Sequence, residues 1–211
     1  MTGIIKTLTG TDSGISVSYE EIDSPNHNPR FWNGKLVKPS LIVIHTAECS
    51  ETPQAPENLA TWDAGASRPQ ASWHFAVGNQ SITCSVPIDL LAWHAFSVNP
   101  YSIGIEHAGY AAQTVADWAN DYSTAELALS VNLCVVLCES LQIPVRIVDA
   151  DELKANHTAG IQSWGICGHD TVTKALAGSH VDPGPNFPWD NYIAQVTTLA
   201  TGAPTNGPWN S

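Results

Sequence analysis

The run Leu41-Ile42-Val43-Ile44 sets the tightest limit on how this chain can fold. Four apolar residues in a row, three of them β-branched, lack the alternation of a half-exposed strand. That pattern belongs to a strand covered on both faces. Such strands occur in sheets sandwiched between helices. "YSIGIEHAG" (101–109) reads as a second buried strand, in which Gly104 permits a close approach to the backbone. "ASWHFAV" (71–77) and "SITCSVP" (81–87) read as strands joined through a hairpin turn at Gly78-Asn79-Gln80. "IPVRIV" (143–148) reads as one more short strand.

Helical patterns fall between these strands. "APENLATWDAG" (55–65) reads as a short helix closed by Gly65. The strongest helix is predicted from about 124 to 141, with Ser123 and Glu126 spaced as a capping box. Leu127, Val131, Cys134, Val135, Cys138 and Leu141 form its apolar stripe. A turn of helix is expected at 171–178 and a terminal helix at 189–200. The expected fold class is therefore α/β: a central mixed β-sheet with helices on both faces. Binding residues on such a sheet gather at strand ends and in the loops beyond them. Residues 1–35 read as a polar, loosely structured lead-in with one strand in "GISVSYEEI"; 36–200 read as the principal domain, and 201–211 as a tail or the start of a linker.

Composition removes several function classes. Twenty acidic against eight basic residues give a net charge of −12, which phosphate backbones repel, so no nucleic-acid partner is expected. No stretch of 18 uncharged apolar residues occurs, so no membrane insertion is expected. The first thirty residues lack a basic start followed by an apolar run, which implies synthesis in a cytoplasm without a signal peptide. A monomer is expected. The five cysteines form no CxxC pair. Cys134 and Cys138 share a helix face and read as buried and reduced, as does Cys167.

Eight histidines remain, several flanking strand ends. His45 ends the Leu41–Ile44 run, His169 sits in "ICGHD", and Asp182 sits in the rigid "HVDPGP". Catalytic zinc takes three ligands from such side chains and leaves a fourth position open. Two histidines and a carboxylate satisfy that rule, although no HExxH helix is present. Pro183 favours an extended Asp182. Thr46, one residue after His45, points the opposite way on a strand and reads as a loop anchor.

"LIVIHTAE", "SWHFAV", "LAWHA", "YSIGIEHAG", "CGHD" and "HVDPGPNFPW" occur in an order that resembles the type 2 N-acetylmuramoyl-L-alanine amidases. That superfamily includes phage endolysin amidases, intracellular anhydro-muropeptide amidases and animal peptidoglycan recognition proteins. The resemblance covers roughly residues 36–195. It implies a Zn2+ site in a surface cleft at the strand ends, held by His45, His169 and Asp182. It implies a peptidoglycan substrate, cut at the amide between N-acetylmuramic acid and L-alanine. The absence of a leader is similar to phage endolysins, which reach the wall after holin-type release. The alternatives are an intracellular amidase that recycles anhydro-muropeptides and a non-catalytic peptidoglycan-binding module.

The same resemblance distributes the other roles. Glu106 matches the Glu that the intracellular branch uses near the metal, which makes it the expected proton shuttle. His180 stands where many relatives carry Lys and is the expected donor to the oxyanion. Its alternatives are a fourth metal ligand or a loop histidine. Histidine titrates near ~6.5, so activity that needs its charged form should fall on the alkaline side. Trp73 stands where several relatives carry a catalytic Tyr; it cannot exchange protons and is expected either to bind substrate or to pack in the core. His94, Asn186, Phe187 and Trp189 are expected at the substrate cleft, with a core position as the alternative for Phe187 and a place behind the metal ligands as the alternative for His94. His107 is a further cleft candidate.

Overall fold

The structure, a computed structural model, describes residues 4–65, 70–160 and 164–202. In chain order the strands are β1 (Ile4–Thr9), β2 (Ser16–Glu21), β3 (His27–Pro29), β4 (Phe31–Trp32), β5 (Lys35–Leu36), β6 (Leu41–Thr46), β7 (Phe75–Val77), β8 (Ile82–Cys84), β9 (Leu90–Ala92), β10 (Ser102–His107) and β11 (Gly165–Gly168). The helices are α1 (Ala55–Asp63), α2 (Val115–Trp118), α3 (Asp121–Leu141), α4 (Ala150–Ala159), α5 (His169–Leu176) and α6 (Trp189–Ala200), with a 3-10 turn at Phe96–Tyr101. Seven strands form the main sheet in the order β1-β2-β8-β7-β10-β6-β11. β6 runs parallel to β10 and β11, and β10 is also parallel to β7. The β7–β8 and β1–β2 pairs are antiparallel, so the sheet is mixed.

β6 explains the layering. Its side chains alternate between faces. Ile42 and Ile44 enter one apolar cluster with α3 and α6, while Leu41 and Val43 enter a second with α4 and α5. All four are fully buried. Burial of each such side chain contributes about 1.5–3 kcal/mol. A strand with a polar residue at any of these sites would leave one layer without its cover.

α3 spans 21 residues and is long and apolar enough to cross a membrane by length and composition. It serves here as a core helix, with Leu127, Val131, Cys134 and Cys138 buried against the sheet and α6. The helix begins earlier than expected, because the Asn120 side chain accepts the Ser123 N–H at 2.8 Å. The expected capping box is absent. Ser123 Oγ instead donates to Glu51, and Glu126 accepts the Ala108 N–H, so both residues tie the helix to the cleft loops.

The N-terminal region departs most from expectation. β1 and β2 form a hairpin that extends the main sheet rather than a loose lead-in. β1 lies at the sheet edge and is mostly exposed, which is why its sequence carries so little apolar pattern. Residues 143–148 are not a strand; only an isolated bridge joins Ile147 to Ile166. α4 was not expected, although Asp149 caps its start and Gly160 its end. The tail beyond residue 202 lies outside the described residues.

Arg30, just after β3, is 1% exposed. Its guanidinium donates to the carbonyls of Ile88 (2.9 Å), Pro100 (3.1 Å) and Ser102 (2.9 Å), and one nitrogen lies 2.6 Å from His74 Nε2. Burial pushes its pKa down to about 9, with Asp89 acting the other way. The N-terminal ribbon is thereby bolted to the centre of the sheet.

Candidate metal centre and cleft

The site assembles at the C-terminal ends of the central parallel strands. His45 is the penultimate residue of β6, and Glu106 sits beside it in register on β10. His169 opens α5 directly after β11. Asp182 lies on the following loop, which is tied back by the Asp170 N–H donating to the Asp182 carbonyl at 2.8 Å. Gly184 beyond it has φ 93° and packs against the Ala111 backbone, where no side chain fits.

Asp182 joins the two histidines. His45 Nδ1 is 2.9 Å from its Oδ2, and His169 Nδ1 is 3.4 Å from its Oδ1. One ligand atom from each of the three residues lies within 4.8 Å of the others, and all three residues are buried. Burial opposes the charge of Asp182, but hydrogen bonds from His169 and His45 win and hold its carboxyl far below the ordinary range. Burial outweighs the Asp182 hydrogen bond at His45 and pushes the ring down to about 4, so it is neutral near pH 7. Two imidazoles and one carboxylate are a donor set suited to zinc.

Glu106 Oε1 lies 3.9 Å from His45 Nδ1, and its Oε2 is buried without a hydrogen-bond partner among the described residues. Burial, followed by the negative charges of Asp182, Asp63 and Glu48, raises its pKa well above the usual carboxyl value. A carboxyl whose pKa is raised from its usual acidic range toward neutrality is better placed to take up and release a proton there. His180 is half-exposed and stacks on His169, with centroids 3.9 Å apart and planes 19° apart. Its Nδ1 is 3.5 Å from Asp182 Oδ1.

These residues form the base of a cleft of about 810 Å³. Trp62 of α1 and Trp73 stack in its wall at 6.2 Å and 9°. Trp93 and Phe96 line it as well. Phe96 is 71% exposed and has φ 50°, a conformation that bulky residues seldom adopt. Trp62, Trp93 and Phe96 were not singled out from sequence. An exposed aromatic beside a strand end leaves no periodic signal.

The structure separates several expected site residues from the cleft. Phe187 is 4% exposed and packs among Trp118, Trp189 and Tyr192, so it belongs to the core. Asn186 donates to the Gln113 carbonyl at 2.8 Å and does not line the cleft. The chain after Pro183 turns under the sheet and carries both away. His107 alternates with Glu106 on β10 and so faces the opposite layer, held between the His45 carbonyl (3.0 Å) and Ser130 Oγ (2.7 Å). His94 does line the cleft, as does Trp73. Thr46 donates to Glu48 at 3.2 Å, which in turn accepts the Ala111 N–H at 2.6 Å, so Thr46 anchors the loop.

Residues 35–185 match the family described as N-acetylmuramoyl-L-alanine amidase. The chain is 31% identical over 159 residues to N-acetylmuramoyl-L-alanine amidase A of Achromobacter lyticus, covering 72% of this chain and 80% of that protein. Among solved structures, the hydrolase AmiA of Staphylococcus aureus in complex with its ligand has a TM-score of 0.63 at 17% identity, covering 86% of this chain and 82% of that one. A selenomethionine derivative of AmpD has a TM-score of 0.60 at 21% identity, with 84% and 93% covered. A mutant endolysin from Bacillus subtilis has a TM-score of 0.56 at 18% identity, with 84% and 99% covered.

Proposed function

From the premise that this chain belongs to the N-acetylmuramoyl-L-alanine amidase family, we propose that it is a zinc-dependent, wall-lytic enzyme of the phage endolysin kind. Its activity class is that of the family, and peptidoglycan is its substrate. The zinc-dependent hydrolysis rests on one observation: His45, His169 and Asp182 converge beside Glu106 at the base of a broad cleft.

His45, His169 and Asp182 would hold the zinc. When bound, zinc supplies a Lewis acid that polarises the scissile carbonyl and makes water acidic enough to attack near neutral pH. Glu106, as the carboxylate, takes a proton from the attacking water and returns it to the departing amine of L-alanine; a pKa raised above the usual carboxyl value makes that carboxylate the stronger base. His180, at the exposed rim, donates a ring N–H to the developing oxyanion; loss of one such donor typically costs ~10²–10³ in rate. The Trp62–Trp73 pair offers a flat apolar wall against which a sugar ring or stem peptide can lie. A cleft of about 810 Å³ takes a glycan unit together with part of its stem peptide. The enzyme acts on the cell wall after release from the cytoplasm in which it is made.

Digestion of purified intact walls tests this reading. The expected products are free lactyl carboxylates on N-acetylmuramic acid and new L-alanine amino termini, with loss of activity on chelation and recovery on adding Zn2+. Turnover of soluble anhydro-muropeptides with intact walls left uncut would overturn it in favour of a recycling amidase. Binding of walls without any new amino termini would make it a recognition module.

A further inference from the structure

His94 occupies a place that neither substrate contact nor core packing explains. Its ring stands between the candidate ligand His45 and the buried Ser102. His94 Nδ1 lies 3.0 Å from His45 Nε2, and His94 Nε2 lies 3.0 Å from Ser102 Oγ. The ring is seated on β10, where a Cβ on Gly104 would come within 2.7 Å of His94 Cγ. Its backbone is held too: the N–H groups of His94 and Ala95 both donate to Asn99 Oδ1, at 3.2 and 2.6 Å.

A neutral imidazole has one donor and one acceptor nitrogen. Both His45 and His169 turn Nδ1 toward Asp182. For His45 to offer a lone pair on that side, its proton must sit on Nε2. His94 Nδ1 must then be the acceptor, which places the His94 proton on Nε2, directed at Ser102 Oγ. A hydroxyl can accept it. The opposite arrangement puts a proton on His45 Nδ1, aimed at the Asp182 carboxylate, and blocks that nitrogen for a cation. Only one direction of the relay suits a ligand.

We propose that His94 is the positioning residue of His45: backed by Ser102, it accepts the Nε2–H and so selects the tautomer that presents Nδ1 to the metal. This rests on the metal-centre reading above. Outer partners of ligating histidines act in this way, and their loss typically weakens metal binding 10–100-fold. The role also explains why Gly104 is needed, since a side chain there would displace the ring.

The test measures Zn2+ affinity by competition with a chelator in the wild type and in His94→Phe, His94→Asn and Ser102→Ala. His94→Phe keeps the ring but removes the acceptor and should bind roughly 10–100-fold more weakly. His94→Asn can place Oδ1 where Nδ1 stood and should recover most of that loss. Ser102→Ala should bind more weakly than wild type, but less so than His94→Phe. In the zinc-loaded wild type, long-range 1H–15N spectra of the imidazoles should place the His45 proton on Nε2. Affinity unchanged in His94→Phe, or His94→Asn no better than His94→Phe, would overturn the proposal. If His94→Phe does not fold, a His45 proton on Nδ1 in the zinc-loaded wild type overturns it, as does unchanged affinity in Ser102→Ala. A wild type that takes up no Zn2+ defeats the metal-centre reading itself, a result separate from unchanged affinities among the variants.

Discussion

Replacing Asp63 by asparagine should stabilise the protein at alkaline pH and leave it unchanged in acid. Asp63 ends α1, is 0% exposed, and neither of its oxygens makes a hydrogen bond of ordinary geometry among the described residues. The C-terminal end of a helix is also the wrong end for a negative charge. Burial raises its pKa from 3.8 to about 7, against a smaller pull downward from the nearby polar groups of Ser24, Asn26 and Ser85. The unfolded carboxyl ionises near 3.8, whereas the folded one waits until about 7. Between those values the native state binds the extra proton, so stability falls as pH rises, and the penalty is complete above about 7. A shift of roughly three units corresponds to a ceiling of about 4 kcal/mol at 1.36 kcal/mol per unit. Water entry and relaxation would reduce this to ~2 kcal/mol, or a rise in Tm of roughly 4–8 °C for a domain of this size. The amide introduced by Asp63→Asn could donate to Ser85 Oγ, which makes no other hydrogen bond among the described residues. Calorimetric unfolding of wild type and Asp63→Asn at pH 4, 6 and 8 checks this. A stability difference that does not change with pH, or a variant less stable than wild type at pH 8, would refute the argument.

Three further outcomes are expected. His169→Ala and Asp182→Ala should each lose stoichiometric zinc and with it wall-digesting activity, as measured by metal analysis alongside turnover. Glu106→Gln should retain its metal while kcat drops by ~10²–10⁴, the range for losing a general acid–base group. Trp62→Ala removes half of the aromatic wall; if the lost contact to the substrate is worth ~0.5–1.5 kcal/mol, KM should rise roughly 2- to 12-fold with kcat unchanged, and a fall in kcat alone would count against a binding wall.

The parts of the fold that were legible in sequence are those whose burial is periodic or continuous. β6 declared itself through an unbroken apolar run because both its faces are covered. α6 was placed at 189–200, where its boundaries lie, since Pro188 precedes it and one apolar stripe runs along it. β1 was not legible, because an edge strand exposed along most of its length, with only Leu8 partly buried, has little pattern to display. The convergence of His45, His169 and Asp182 could be suspected only from residue type and family order, since 137 residues separate His45 from its carboxylate partner. Phe187 was misplaced for a related reason: proximity in sequence to Asp182 says nothing about which side of the sheet the chain takes after Pro183. For His94 the sequence leaves both a cleft position and one behind the metal ligands open, because a hydrogen bond to a distant side chain leaves no trace in local sequence.

Arg30 bears on where this folding unit begins. The family match starts at residue 35, five residues after it. A chain trimmed to the matched span would retain the carbonyls of Ile88, Pro100 and Ser102 but lose the guanidinium that meets all three. Each buried acceptor left unmet costs about 1–3 kcal/mol, which together approaches the whole stability of an ordinary domain. The smallest piece that folds on its own is therefore longer than the smallest piece recognisable by kinship, and its border is drawn by one side chain reaching back into the sheet.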